Sequence, residues 1–112
     1  MATFTYFVSD VRRLASGGSR YGLYDAEVEL VEPSRGVVVE VLSTMPAEPS
    51  EAVFQTCVAA IREAAELVLR PRGFGAIVQL SGLGIHDVDS SANHYHKLTV
   101  EALSRAVVEH LA

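Results

Sequence analysis

The chain has a single cysteine, Cys57, so an internal disulfide framework and a cysteine-rich zinc site are both excluded. It has no excess of positive charge. Nine Lys and Arg stand against fourteen Asp and Glu, a formal net charge of −5. Broad, nonspecific nucleic-acid binding needs a basic face, so only a local RNA contact remains open. No apolar run is long enough to span a bilayer. The start, MATFTYFVSD, lacks both a basic region and a long apolar stretch, so no signal peptide is expected. No G-x-x-x-x-G-K-[ST] occurs, which removes that way of holding GTP or ATP. A cytoplasmic, non-membrane protein without a cofactor is the expectation.

What is present reads as one domain. The 112 residues are enough for a core without staples. Hydrophobic residues make up 49% and charged residues 21%, a globular balance rather than a disordered one. Residues 4–8, FTYFV, form a candidate first strand, and residues 14–22, LASGGSRYG, read as a loop because paired glycines and serines break regular structure. In YDAEVELVE, Ala26, Val28 and Leu30 alternate with Asp25, Glu27 and Glu29, the period of a strand with one dry and one wet face. PSRG, residues 33–36, is a turn, and VVVEVLS returns antiparallel to its predecessor.

Two helices follow. Ser50 is placed to cap the first, with Glu51 near its positive end. Val53, Cys57, Ala60, Ile61, Ala64 and Val68 then recur at helical spacing, and Pro71 and Gly73 stop the helix near Arg70. Cys57 on this stripe reads as a buried, inert thiol. GAIVQLSG supplies another strand. The last helix is expected to start just after Asp89 or Ser90, with Tyr95, Leu98, Ala102, Ala106 and Val107 facing the core. Strands, helix, strand, helix give a two-layer α+β domain with both helices on one sheet face.

Residues 83–91, LGIHDVDSS, stand out: a strand-like run gives way to a His, two Asp and two Ser. A metal site would draw on His86, Asp87, Asp89, His94 and His96. Two residues apart on a helix is about 200° around it, so His94 and His96 do not share a ligand face. A catalytic site would pair Ser90 or Ser91 with His86, but both serines sit where a helix takes its cap. Neither a metal site nor a catalytic residue is therefore assigned. Capping alone needs one Asp or Ser and leaves His86 and Asp87 unexplained.

SGGSRYG, the following strand ending VELVEP, the segment PAEPSEAVFQTCVAAIREA and HDVDSS at the last helix together resemble domain IV of translation elongation factor G. The tetracycline-resistance ribosomal protection proteins share that domain. The resemblance runs from about Ala15 to the C-terminus. It implies the fold of the second domain of small-subunit ribosomal protein five, with a left-handed βαβ crossover. It also implies an arm whose two tip loops enter the decoding region of the small ribosomal subunit. By motif, one tip is Ser16, Gly17, Gly18, Ser19, Arg20, Tyr21 and Gly22; the other is His86, Asp87, Val88, Asp89, Ser90 and Ser91. Glycines allow close approach to a sugar–phosphate chain, Arg20 suits phosphate, and Tyr21 suits stacking. His86 and the serine hydroxyls suit 2′-hydroxyl groups, and the Asp residues suit bracing. The family's first loop usually reads SGGRGQYG; SGGSRYG is one residue shorter and has no glutamine.

The expected function is a free-standing, non-enzymatic domain that associates with the small ribosomal subunit or structured RNA. The alternatives are a protein-interaction module that keeps the fold without RNA binding, and a piece of a larger factor. In every case the purified chain is expected neither to bind nor to hydrolyse GTP. Saturable binding of a fluorescent GTP analogue at micromolar protein would contradict this.

Overall fold

A computed structural model describes residues 2–13, 19–86 and 90–111, with the backbone alone for Arg12, Arg13, Ser19 and Arg20. It is a two-layer α+β domain. β1 (Thr3–Arg13), β2 (Ser19–Val31), β3 (Val37–Val41) and β5 (Gly75–Ser81) form one sheet, in the order β1-β2-β5-β3. Two short strands, β4 (Thr44–Met45) and β6 (Leu83–Gly84), pair in parallel beside it. Helices α1 (Glu51–Leu69) and α2 (Ala92–Leu111) cover one sheet face. Among the described residues, no helix is long and apolar enough to cross a membrane.

The alternation along β2 is as expected. Ala26, Val28 and Leu30 are buried, and Asp25, Glu27 and Glu29 are exposed. The flanking strands obey the same period, with Phe4, Tyr6 and Val8 on β1 and Ala76, Val78 and Leu80 on β5 turned inward. One sheet face is thus dry and the other open, as a single layer of helices on a mixed sheet leaves it.

Three expectations are corrected. β1 is longer than residues 4–8, and β2 already begins at Ser19, so Ser19, Arg20, Tyr21 and Gly22 are strand rather than loop. Cross-strand pairing from Thr3↔Glu29 to Arg13↔Ser19 holds them in a long two-stranded ribbon. At about 3.3 Å per residue, the 13 residues of β2 reach about 40 Å, close to the 42 Å longest dimension of the molecule. Second, β3 runs opposite to β2 but does not pair with it. β5 lies between them, antiparallel to β2 and parallel to β3. Periodicity marks a strand without naming its neighbour, and α1 provides the crossover a parallel pair requires. Third, Ser50 occupies the α1 cap position but its hydroxyl makes no capping bond. Gln55 Nε2 donates to Glu51 Oε1 at 2.8 Å in the first turns instead.

The helix stop is as expected: α1 ends at Leu69, one 3₁₀ turn covers Arg70–Arg72, and Gly73 takes a left-handed φ of 83°. Cys57, Ala60, Ile61 and Ala64 are buried, with Val53 and Val68 packed partly against the core. Burial pushes the Cys57 thiol up from its ordinary value, as suits an inert core thiol.

Polar groups cross the core in a chain. The Tyr6 and Tyr24 hydroxyls meet at 2.9 Å, and Tyr24 meets Thr99 Oγ1 at 2.7 Å. The chain links β1, β2 and α2 through groups that burial alone would penalise. Burial pushes the Tyr6 hydroxyl up to about 12 and Tyr24 well above its ordinary range. The folded state therefore favours the neutral phenols. Their contribution to stability is whole below the ordinary value of 10.0 and falls as pH rises through about 12. Urea unfolding midpoints are expected to stay level with respect to these groups up to about pH 9, drop beyond pH 10, and drop less steeply in Tyr6→Phe.

Candidate functional site at the ribbon and the start of the last helix

The N-terminus of α2 is built by two adjacent serines with different tasks. Ser91 is the cap: its Oγ accepts the His94 N–H at 3.1 Å, and its carbonyl accepts the Tyr95 N–H at 3.1 Å. This is one residue later than Ser90 and two later than Asp89, the expected caps. Ser90 is buried and acts as a clasp. Its Oγ accepts the His86 N–H at 3.0 Å and donates to the Tyr21 carbonyl at 3.2 Å, while its N–H donates to the His86 carbonyl at 2.8 Å. One side chain thus joins β2 to the segment before α2. Asp87, Val88 and Asp89 lie outside the described residues, as do Ser16, Gly17 and Gly18.

Tyr21 and His86 come together beside this clasp. Their ring centroids are 6.1 Å apart and tilted by 37°. His86 is exposed and Tyr21 half-buried. The Tyr21 ring lies so close over Gly84 that a Cβ added there would collide with ring carbon Cε1. Gly84 is anchored in turn, because its carbonyl accepts a hydrogen bond from the Tyr95 hydroxyl. The Leu23 N–H donates to the same hydroxyl at 3.1 Å. Burial pushes the Tyr95 phenol above its ordinary range, so it stays neutral and keeps its proton for this bond.

Gly22 serves the packing of α2 on the ribbon. It is buried in β2, and a Cβ there would collide with Leu98 Cδ1 of α2. The missing side chain lets the helix approach the ribbon. Opposite Gly22 in register stands Asp10, whose Oδ2 lies 3.1 Å from Nε2 of the buried His94. His94 and Asp10 were not singled out together by sequence; they are far apart in the chain and share no motif. Gly84, between Leu83 and Ile85, did carry a signal, since a glycine within an apolar run marks a close approach.

The structure therefore gathers Tyr21, Gly22, His86, Ser90 and Ser91 at one end of α2. Register puts Arg12 opposite Arg20 and Arg13 opposite Ser19, so three arginines stand on the last pairs of the ribbon beyond Tyr21. Among the described residues, no group of three or more His, Cys, Asp or Glu is arranged to hold a metal ion.

No protein-family model matches the sequence, and no curated protein matches it. Solved structures do match the fold. The crystal structure of ttk003000868 from Thermus thermophilus superposes with a TM-score of 0.64 over 97% of this chain, at 15% sequence identity. The matched part is 16% of that chain. At this identity the likeness concerns the fold alone.

The cap and the stack are separable by mutation. Ser91→Ala is expected to cost about 1 kcal/mol through loss of the cap. Gly84→Ala is expected to displace Tyr21, by about 1–3 kcal/mol as an overpacking change. Thermal melts will measure both, and the His86 imidazole NMR shifts should move in Gly84→Ala but not in Ser91→Ala.

Proposed function

We propose that this chain is an elongation factor G domain IV-like arm that associates with the small ribosomal subunit or structured RNA and performs no chemistry of its own. The observation that carries the reading is the joining of the two motif-bearing segments. Ser90 ties His86 to Tyr21, and the arginine-bearing end of the ribbon continues past that contact. An RNA strand offers phosphates and unstacked bases; a cation-bearing ribbon end beside an aromatic pair matches both. The acidity of the remaining chain limits binding to this end.

On this reading the fold is that of the second domain of small-subunit ribosomal protein five. The parallel β3–α1–β5 unit is then its left-handed crossover. Support comes from the strand order and from the helices gathered on one face. The likeness to the Thermus structure adds that such a unit also occurs within a much longer chain. That favours, as a second reading, a unit working inside a larger factor, where neighbouring domains supply the avidity one arm lacks.

Ser90 belongs to the scaffold in this proposal, since both its hydroxyl bonds are internal. The contact groups are Arg20, Tyr21 and His86. Co-sedimentation with ribosomes at low and high salt tests the reading. Arg20→Ala is expected to weaken association and flatten the salt slope by roughly one phosphate contact. His86→Ala is expected to weaken it with the slope nearly unchanged. Pelleting that neither variant affects would move the contact to another face.

A further inference from the structure

The second surface of interest is the open face of the sheet, away from both helices and independent of the RNA reading. Its residues fall in rows across the strands. Thr3, Glu29, Ile77 and Val38 make one row; Thr5, Glu27, Gln79 and Glu40 the next; Phe7, Asp25 and Ser81 the third, with Leu42 following β3 beside it. Asp25, Glu27, Glu29 and Glu40 are all exposed, and none forms an ion pair among the described residues. The outward positions of these strands, 3–11, 25–29, 77–81 and 38–42 taken alternately, hold no Lys or Arg. Three carboxylates on alternate residues of one strand repel each other, and no cation among the described residues relieves them.

Apolar groups flank the stripe. Phe7 is 56% exposed, Leu42 60% and Val38 50%. Between Phe7 and Leu42 runs a shallow groove of about 390 Å³, floored by Asp25, Glu27 and Gln79. A second depression of about 220 Å³ lies by Glu29 and Ile77. The two depressions share Glu27 and Gln79, so carboxylates line both, and Phe7 and Leu42 form apolar shoulders on the first.

We propose that this open face is a docking surface for a basic, amphipathic segment of a protein partner. Its Lys or Arg heads would pair with Asp25, Glu27 and Glu29. Apolar side chains on the same segment would cover Phe7 and Leu42. Long basic side chains suit such a groove because their aliphatic stems lie on apolar shoulders while the charge reaches the acids. Nucleic acid is repelled by the same four carboxylates, and an acidic segment likewise. Charge complementarity therefore selects the occupant.

The test uses ¹⁵N-labelled protein and two synthetic peptides that form amphipathic helices. One bears arginines and leucines; the other has every arginine replaced by glutamate. The arginine peptide is expected to shift amides of Phe7, Asp25, Glu27, Gln79 and Leu42, and the glutamate peptide to leave them in place. Glu27→Lys/Glu29→Lys is expected to bind the arginine peptide about tenfold more weakly with an unchanged melting temperature. Phe7→Ala should weaken the arginine peptide but leave binding of oligolysine unaltered, separating a shaped site from diffuse attraction. Shifts mapping to α1, α2 or the ribbon end would overturn the proposal, as would equal binding of both peptides or indifference to the charge reversal. Concentration-dependent shifts on this face without peptide would also overturn it, by assigning the face to a second copy of the chain.

Discussion

The Tyr95 hydroxyl is the point on which the candidate site hangs. A phenol with no exposed surface, near the start of α2, donates to the Gly84 carbonyl and accepts the Leu23 N–H. Helix, central strand and the short β6 strand are thereby fixed to one oxygen. Gly84 must stay there for Tyr21 to lie over it, and Leu23 holds the strand that carries Tyr21 and Gly22. The Tyr6–Tyr24–Thr99 chain repeats the device one turn further along the helix. A buried polar group is costly when unpaired, so each hydroxyl admits few arrangements of its neighbours. Hydrophobic burial supplies the bulk of the stabilisation, and these hydroxyls restrict how the apolar layers can slide.

Sequence periodicity read the secondary structure well where one face is dry. Ala26, Val28 and Leu30 declared the inner face of β2, and the apolar stripe through Cys57 and Ile61 declared α1. It was weaker where partners are remote. β3 looked like the second half of a hairpin, yet its neighbour β5 arrives only after a helix. A strand's pattern records its burial but not its partner. The glycine- and serine-rich composition before Tyr21 suggested loop, while eleven cross-strand pairs with β1 carried the strand out to Ser19. For the site, the resemblance implied two tip loops, and the structure joins Ser90 and His86 to Tyr21. The task of each serine was not legible in the sequence, because Ser90 and Ser91 differ only in what they face: one meets Tyr21 and His86, the other the helix's first N–H groups.

Charge is divided along a single ribbon. One end carries Arg12, Arg13 and Arg20, and the stretch from its middle to the other end carries Asp25, Glu27 and Glu29 on the open face. With a Debye length of about 8 Å at physiological salt, the two regions act almost separately. One chain with a net charge of −5 thus carries a basic and an acidic stretch on the same ribbon. Mean properties such as net charge describe neither stretch.

The place of β5 in the sheet has a consequence for assembly in time. β1 and β2 are adjacent in sequence and in space, so their ribbon can form as soon as both are made. β3 is synthesised next but has no hydrogen-bonding partner until β5 exists, more than thirty residues later. β5 must then enter between β2 and β3, while α1 closes over the connection. That is a non-local step, and it carries the loop-closure entropy of the β3–β5 connection. Until it happens, VVVEV has two unpaired edges. The Glu40 side chain on its outer face is the sole charge guarding that strand against pairing with another nascent chain.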